Sequence, residues 1–232
     1  MKQNIKNSKY EYIFFDLDDT LLDFQNDCKK AFKMSCDEIG LKLKNAYEIY
    51  NKINMQLWDD FADKKIELAK LLKLRFELFF KKVNFNFDNE KFQQILTKYM
   101  STCGKRIQGA KSIVKYLHKK YTLIAITNGV SKEQKCRLKN ANLDKFFNKV
   151  FISQDIGTEK PNPEFFKYCL RSLKLKNTNN ILIVGDSLKS DIKGGILANI
   201  ETCWFNRLGI DNNTNITPNY VIKKLKELKN IL

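Results

Sequence analysis

Short β-rich runs, several of them apolar on both faces, recur along this chain at residues 10–17 (YEYIFFDL), 121–126, 149–152, 180–184 and 201–205. A strand that is apolar on both sides has to be covered on both sides, as parallel strands are between two layers of helices. The segments between the later runs supply such helices, with helical spacing at residues 109–119, 132–140, 163–173 and 188–198. This alternation predicts an α/β fold built on an open, mostly parallel sheet. One stretch breaks the pattern. From residue 24 to residue 100 there is no strand signal, while Ile66, Ala69, Leu72, Phe76, Phe79 and Val83 recur at spacings of three and four. Tyr50, Ile53, Leu57 and Phe61 do the same. The expected organisation is therefore an α/β core from residues 1–23 and 102–232, with a helical domain, residues 24–101, inserted after the first strand. A polar loop at 211–215 (DNNTN) precedes a final helix expected at about residues 221–231.

Composition narrows the function classes. A chain of 232 residues suffices for one large domain or a domain with an insert. Its longest wholly apolar runs, such as 123–126 and 181–184, are four residues, far short of a bilayer span. The polar stretch 1–11 has no signal-peptide core, so a cytoplasmic protein without membrane attachment is expected. The single histidine, His118, excludes histidine-rich zinc sites and two-histidine acid/base pairs. Cys28, Cys36, Cys103, Cys136, Cys169 and Cys203 form no C-x-x-C pair and read as reduced apolar fillers. Lysine and arginine outnumber acids 42 to 26, giving +16. Only five of these are arginine and the lysines scatter, which argues against a specific nucleic-acid site and leaves a general field attractive to anions.

Chemistry concentrates at the ends of the strands. Asp16-Leu17-Asp18-Asp19-Thr20 closes the first run, and residues two apart on a strand point the same way, so Asp16 and Asp18 converge. Close carboxylates call for a cation or a shared proton, although a solvated acidic turn would read the same. Thr127-Asn128-Gly129 ends the next strand with a hydroxyl, an amide and backbone N–H groups suited to phosphate oxygens, or with a plain turn. Pro161 keeps Lys160 in extended backbone just ahead of a helix, where its ammonium could meet an anion. Gly185-Asp186-Ser187 ends a fourth strand, with Asp191 five residues past Asp186. Each motif has a bland reading by itself. Together they bring acid, hydroxyl, lysine and acid to one sheet edge, where open α/β sheets bind ligands. Three carboxylates without histidine favour a hard cation, Mg²⁺ above all.

This ordered set resembles the haloacid dehalogenase-like superfamily, whose four motifs match Asp16–Thr20, Thr127, Lys160 and Asp186 through Asp191. The resemblance implies a Rossmann-like parallel-sheet core with an inserted C1-type all-helical cap. It implies Asp16 as a nucleophile forming an aspartyl-phosphate and Asp18 as general acid/base. Thr127, Asn128 and Lys160 would bind the phosphoryl group. Mg²⁺ would be held by Asp16, the backbone carbonyl of Asp18 and Asp186, with Asp191 supporting the ligands. Residues 51–61 (NKINMQLWDDF), 157–161 (GTEKP) and 194–204 (GGILANIETCW) are further similar to the pyrimidine 5′-nucleotidase subfamily. The expected substrate is then a nucleoside monophosphate such as UMP, dUMP or dTMP, with Trp58 a candidate to stack on the base and packing within the insert its alternative. The competing readings are a broad sugar-phosphate phosphatase, a phosphomutase, and a basic nucleic-acid-binding protein on an inactive fold. A monomer or homodimer is expected.

Overall fold

The structure is a computed structural model that describes residues 8–63 and 65–232; the first residues of the polar N-terminal stretch, 1–7, lie outside them. Six strands form one sheet: β1 (Tyr12–Phe15), β2 (Thr122–Thr127), β3 (Lys149–Ile152), β4 (Ile181–Gly185), β5 (Glu201–Phe205) and β6 (Tyr220–Ile222). Their order is β3-β2-β1-β4-β5-β6, and every neighbouring pair is parallel. β1 shows why the apolar runs read as they do. Ile13 and Phe15 face one side, packing with Leu123, Ala125, Leu182 and Val184. Phe14 faces the other, packing with Ile124, Ile126, Ile181 and Ile183. The first face is covered by helix α5 (Ala110–Leu117) through Ala110, Ile113, Val114 and Leu117. The second is covered by α8 (Pro163–Ser172) through Phe165, Phe166 and Cys169. Helices on both faces leave the sheet almost no water to meet, so both sets of side chains are apolar.

The chain divides into two compact units, Met1–Phe24 with Gly104–Leu232, and Gln25–Cys103. The second is helical, from α1 (Phe24–Glu38) through α2 (Ala46–Ala62), α3 (Leu68–Lys82) and α4 (Asn89–Met100). It is held by aromatic rings. Phe32 stacks on Tyr50 at 4.3 Å between centroids and meets Phe79 and Phe92 edge-on. No helix among the described residues is long and apolar enough to cross a membrane, and the cysteines form no disulfide.

Two expected helices differ. The helix expected at 221–231 is instead strand β6 followed by a 3₁₀ turn, Leu225–Asn230. Ile222, Leu225 and Leu228 are buried at intervals of three, a spacing that a 3₁₀ turn satisfies as well as an α-helix does. Tyr220, Val221 and Ile222 meanwhile favour a strand along the edge of β5. The segment 188–198 is likewise not one α-helix. It opens as a π-helical turn, Leu188–Ile192, and tightens into α9 (Lys193–Leu197).

Candidate active site

Asp16 lies one residue past β1, its N–H donating to Val184 O at 2.9 Å. Its Oδ1 accepts from Lys160 Nζ at 2.7 Å. The same ammonium donates to Asp191 Oδ1 at 2.7 Å and to Ile126 O at 3.1 Å, so its three protons are all used. Lys160 is buried, and its main chain is gripped from β2: Asn128 Nδ2 donates to Lys160 O at 2.8 Å and Asn128 Oδ1 accepts from Lys160 N at 2.9 Å. The amide expected on phosphate is thus spent holding the lysine backbone. Immediately after, Asn162 accepts from Glu164 N and Pro163 occupies the first turn of α8, the ordinary start of a helix.

Gly185 ends β4 with Asp191 directly against it: a Cβ at 185 would lie 2.3 Å from the Asp191 carboxylate. Asp191 Oδ2 accepts from Ser187 N at 3.2 Å, so both its oxygens are held by protein donors. Asp186, half-buried, accepts from Thr20 Oγ1 at 3.2 Å, and its own N–H returns a bond to that hydroxyl at 3.1 Å. Trp204 Nε1 donates to Asp186 O at 2.8 Å. One carboxylate oxygen from each of Asp16, Asp186 and Asp191 lies within 4.8 Å of the others.

Burial pushes the Asp16 carboxyl up to about 7; Lys160 pulls against this, and Asp191 and Asp18 add to the rise. Burial also lifts Asp186 well above the usual carboxylate range, with Asp16 and Asp191 contributing. Burial works against the charge on Lys160, but Asp16 and Asp191 more than offset it and hold its pKa above the ordinary ammonium value. Three acids around one ammonium are electrically overloaded. An all-oxygen donor set with surplus negative charge fits a hard divalent cation such as Mg²⁺.

The remaining motif residues separate. Thr127 is buried, its Oγ1 accepting from Gly129 N and Gln134 Nε2, both at 3.1 Å. Asp18 turns its carboxylate toward helix α6 (Ser131–Asn140), where Arg137 and Gln134 take its two oxygens. Trp58 belongs to the helical unit, half-buried against Phe61, Leu57 and Leu71. Sequence reasoning missed Gln134 and Arg137, and it named Thr20 within its motif without giving it a partner. The spacing of Gln134 and Arg137, three apart on the helix after Thr127-Asn128-Gly129, was the available signal.

A family model for haloacid dehalogenase-like hydrolases matches residues 13–205. The chain belongs to that family. Its sheet unit is the Rossmann-like α/β core of a haloacid dehalogenase-like hydrolase. The chain is 35% identical over 225 residues to YfnB of Bacillus subtilis, covering 97% of this chain and 96% of that protein. It superimposes on the solved YfnB structure, which has bound magnesium, with a TM-score of 0.92, 34% identity, and 97% and 99% of the two chains covered. It is 34% identical over 230 residues to the pyrimidine 5′-nucleotidase PynA of Streptococcus pneumoniae, covering 96% of this chain and 97% of that one. To the pyrimidine 5′-nucleotidase YjjG of Escherichia coli it is 30% identical over 224 residues, covering 97% and 98%. This member of the haloacid dehalogenase-like family is a phosphatase, a hydrolase of phosphoric monoesters.

Proposed function

We propose that the protein is a Mg²⁺-dependent 5′-nucleotidase acting on pyrimidine nucleoside monophosphates. The gathering of Asp16, Lys160, Asp186 and Asp191 at one sheet edge carries the chemistry. Similarity over nearly the whole chain to two pyrimidine 5′-nucleotidases supports the substrate class. Asp16 and Asp186 would hold Mg²⁺ with the backbone carbonyl of Asp18, while Asp191 steadies Lys160. The bound ion would supply positive charge that offsets the phosphoryl oxygens and keeps Asp16 ionised.

Asp16 then attacks phosphorus, the ester P–O bond breaks, and the leaving alkoxide takes a proton from Asp18. Water next attacks the aspartyl-phosphate, Asp18 takes back a proton, and cleavage of the Asp16–phosphorus bond frees phosphate. The Thr127 hydroxyl would donate to a phosphoryl oxygen, and the Lys160 ammonium would offset the phosphoryl charge, reaching an oxygen only by giving up one of its three protein contacts. The helical unit acts as the cap that selects the leaving group, with Trp58 offered to the base.

A panel of phosphate esters assayed with Mg²⁺ and with chelator tests this reading. UMP, dUMP and dTMP are expected to show higher kcat/KM than AMP, GMP or sugar phosphates, and chelator is expected to abolish turnover. A flat profile or a sugar-phosphate preference would overturn the nucleotidase assignment. Folded Asp16→Asn protein with wild-type activity would overturn the mechanism. Trp58→Ala should lose about 5–150-fold on UMP and far less on p-nitrophenyl phosphate, the size of a stacking contact.

A further inference from the structure

Asp18 does not join the cluster of Asp16, Asp186 and Asp191, and the reason lies on α6. Arg137 Nη1 donates to Asp18 Oδ1 and Gln134 Nε2 donates to Asp18 Oδ2. Arg137 and Gln134 are buried, whereas the Asp18 side chain keeps a quarter of its surface exposed, 25%. Gln134 does more than touch Asp18. Its Nε2 also donates to Thr127 Oγ1 at 3.1 Å, and its Oε1 accepts from Arg137 Nη1 at 3.5 Å. The amide therefore links the acid, the phosphate-facing hydroxyl and the guanidinium. Gly129 makes room for this: a Cβ there would fall 2.0 Å from Gln134 Nε2 and 2.8 Å from its Cγ.

A buried guanidinium needs an anion, and Asp18 supplies one. Here both oxygens of one carboxylate are fixed by two side chains of one helix, and that helix grows out of the Thr127–Gly129 loop. The proton donor and the phosphate loop are thereby one mechanical piece. The geometry points to Gln134 and Arg137 as positioning residues that hold Asp18 in place for proton transfer to the leaving group. This inference rests on the phosphatase reading above, with Asp18 as its acid/base.

The test compares leaving groups. In Gln134→Met the side chain keeps its size and loses its donor; in Arg137→Lys the charge stays and the fork is lost. A misplaced general acid should cost about 10–100-fold in kcat on UMP, part of the 10²–10⁴ that such catalysis contributes. On p-nitrophenyl phosphate, whose leaving group scarcely needs a proton, the loss should be several-fold smaller, and KM for both esters should hold. In an Asp18→Asn background neither substitution should cost anything further, because groups that act as a unit are not additive. Equal losses on both esters, or a full further loss beside Asp18→Asn, would overturn the inference. So would a Gln134→Met protein that fails to fold while Arg137→Lys turns over like wild type. Wild-type protein inactive on every ester would instead overturn the phosphatase reading, and this inference with it. An Asp18→Asn protein with the expected leaving-group pattern, beside unaffected α6 variants, would overturn this inference alone.

Discussion

A methyl group is all that separates Gly185 from Ala, yet it has nowhere to go but into the Asp191 carboxylate. Asp191 would have to leave both Lys160 and the Ser187 N–H, freeing a buried acid from its partners. Gly185→Ala is expected to cost about 1–3 kcal/mol of stability, the scale of a forced fit in a packed interior, and to lower kcat by more than tenfold. Urea denaturation alongside steady-state assay would check it; an unaltered variant would show that Asp191 tolerates displacement. Asp16 and Asp186 were legible in the sequence because each follows an apolar strand and the two recur with a threonine and a lysine at one sheet edge, where either alone would also read as a solvated turn. Their partners were not. Asn128 meets Lys160 across 32 residues and Arg137 meets Asp18 across 119, distances at which no local pattern registers a contact. Asn128 could be placed near phosphate from its motif, but only the fold shows its amide turned onto the lysine backbone.

Among the elements, strands were easier to read than the irregular helices. Apolarity on both faces of β1, β2 and β4 has few explanations besides a covered parallel sheet. The segment after the polar loop at 211–215 was ambiguous because three-residue spacing serves a 3₁₀ turn and an α-helix alike. The π-helical start at Leu188 has no sequence signature; the turn carries Asp191 against Gly185. The edge strand can be tested directly. Val221 is 54% exposed and Ile222 only 3%, adjacent residues on opposite faces of β6. Val221→Lys should leave stability within about 0.5 kcal/mol, as surface changes do, whereas Ile222→Ala should cost about 2–5 kcal/mol. Comparable costs at both positions, measured by denaturant midpoints, would contradict a strand there.

At the scale of the whole molecule the site's charge should be visible in stability. A carboxyl with a folded-state value raised to about 7, against about 3.9 unfolded, binds its proton more tightly when folded. Metal-free protein should therefore be stabilised by this group at acid pH, and lose that stability as pH climbs from about 4 through 7. Mg²⁺ binds the ionised carboxylates, so the Tm gain from millimolar Mg²⁺ should be larger at about pH 8 than at about pH 5. An equal gain at both would show that the acids of the cluster are not its ligands. The position of β1 has a consequence in time. It is made before the other strands of the sheet, yet it lies in the interior between β2 and β4, partners that begin at residues 122 and 181. A nascent chain thus carries Asp16 long before the neighbours that bury it, and such distant pairings form slowly. The gathering of Asp16, Lys160, Asp186 and Asp191 therefore exists only after residue 191 has been made and β4 has paired with β1.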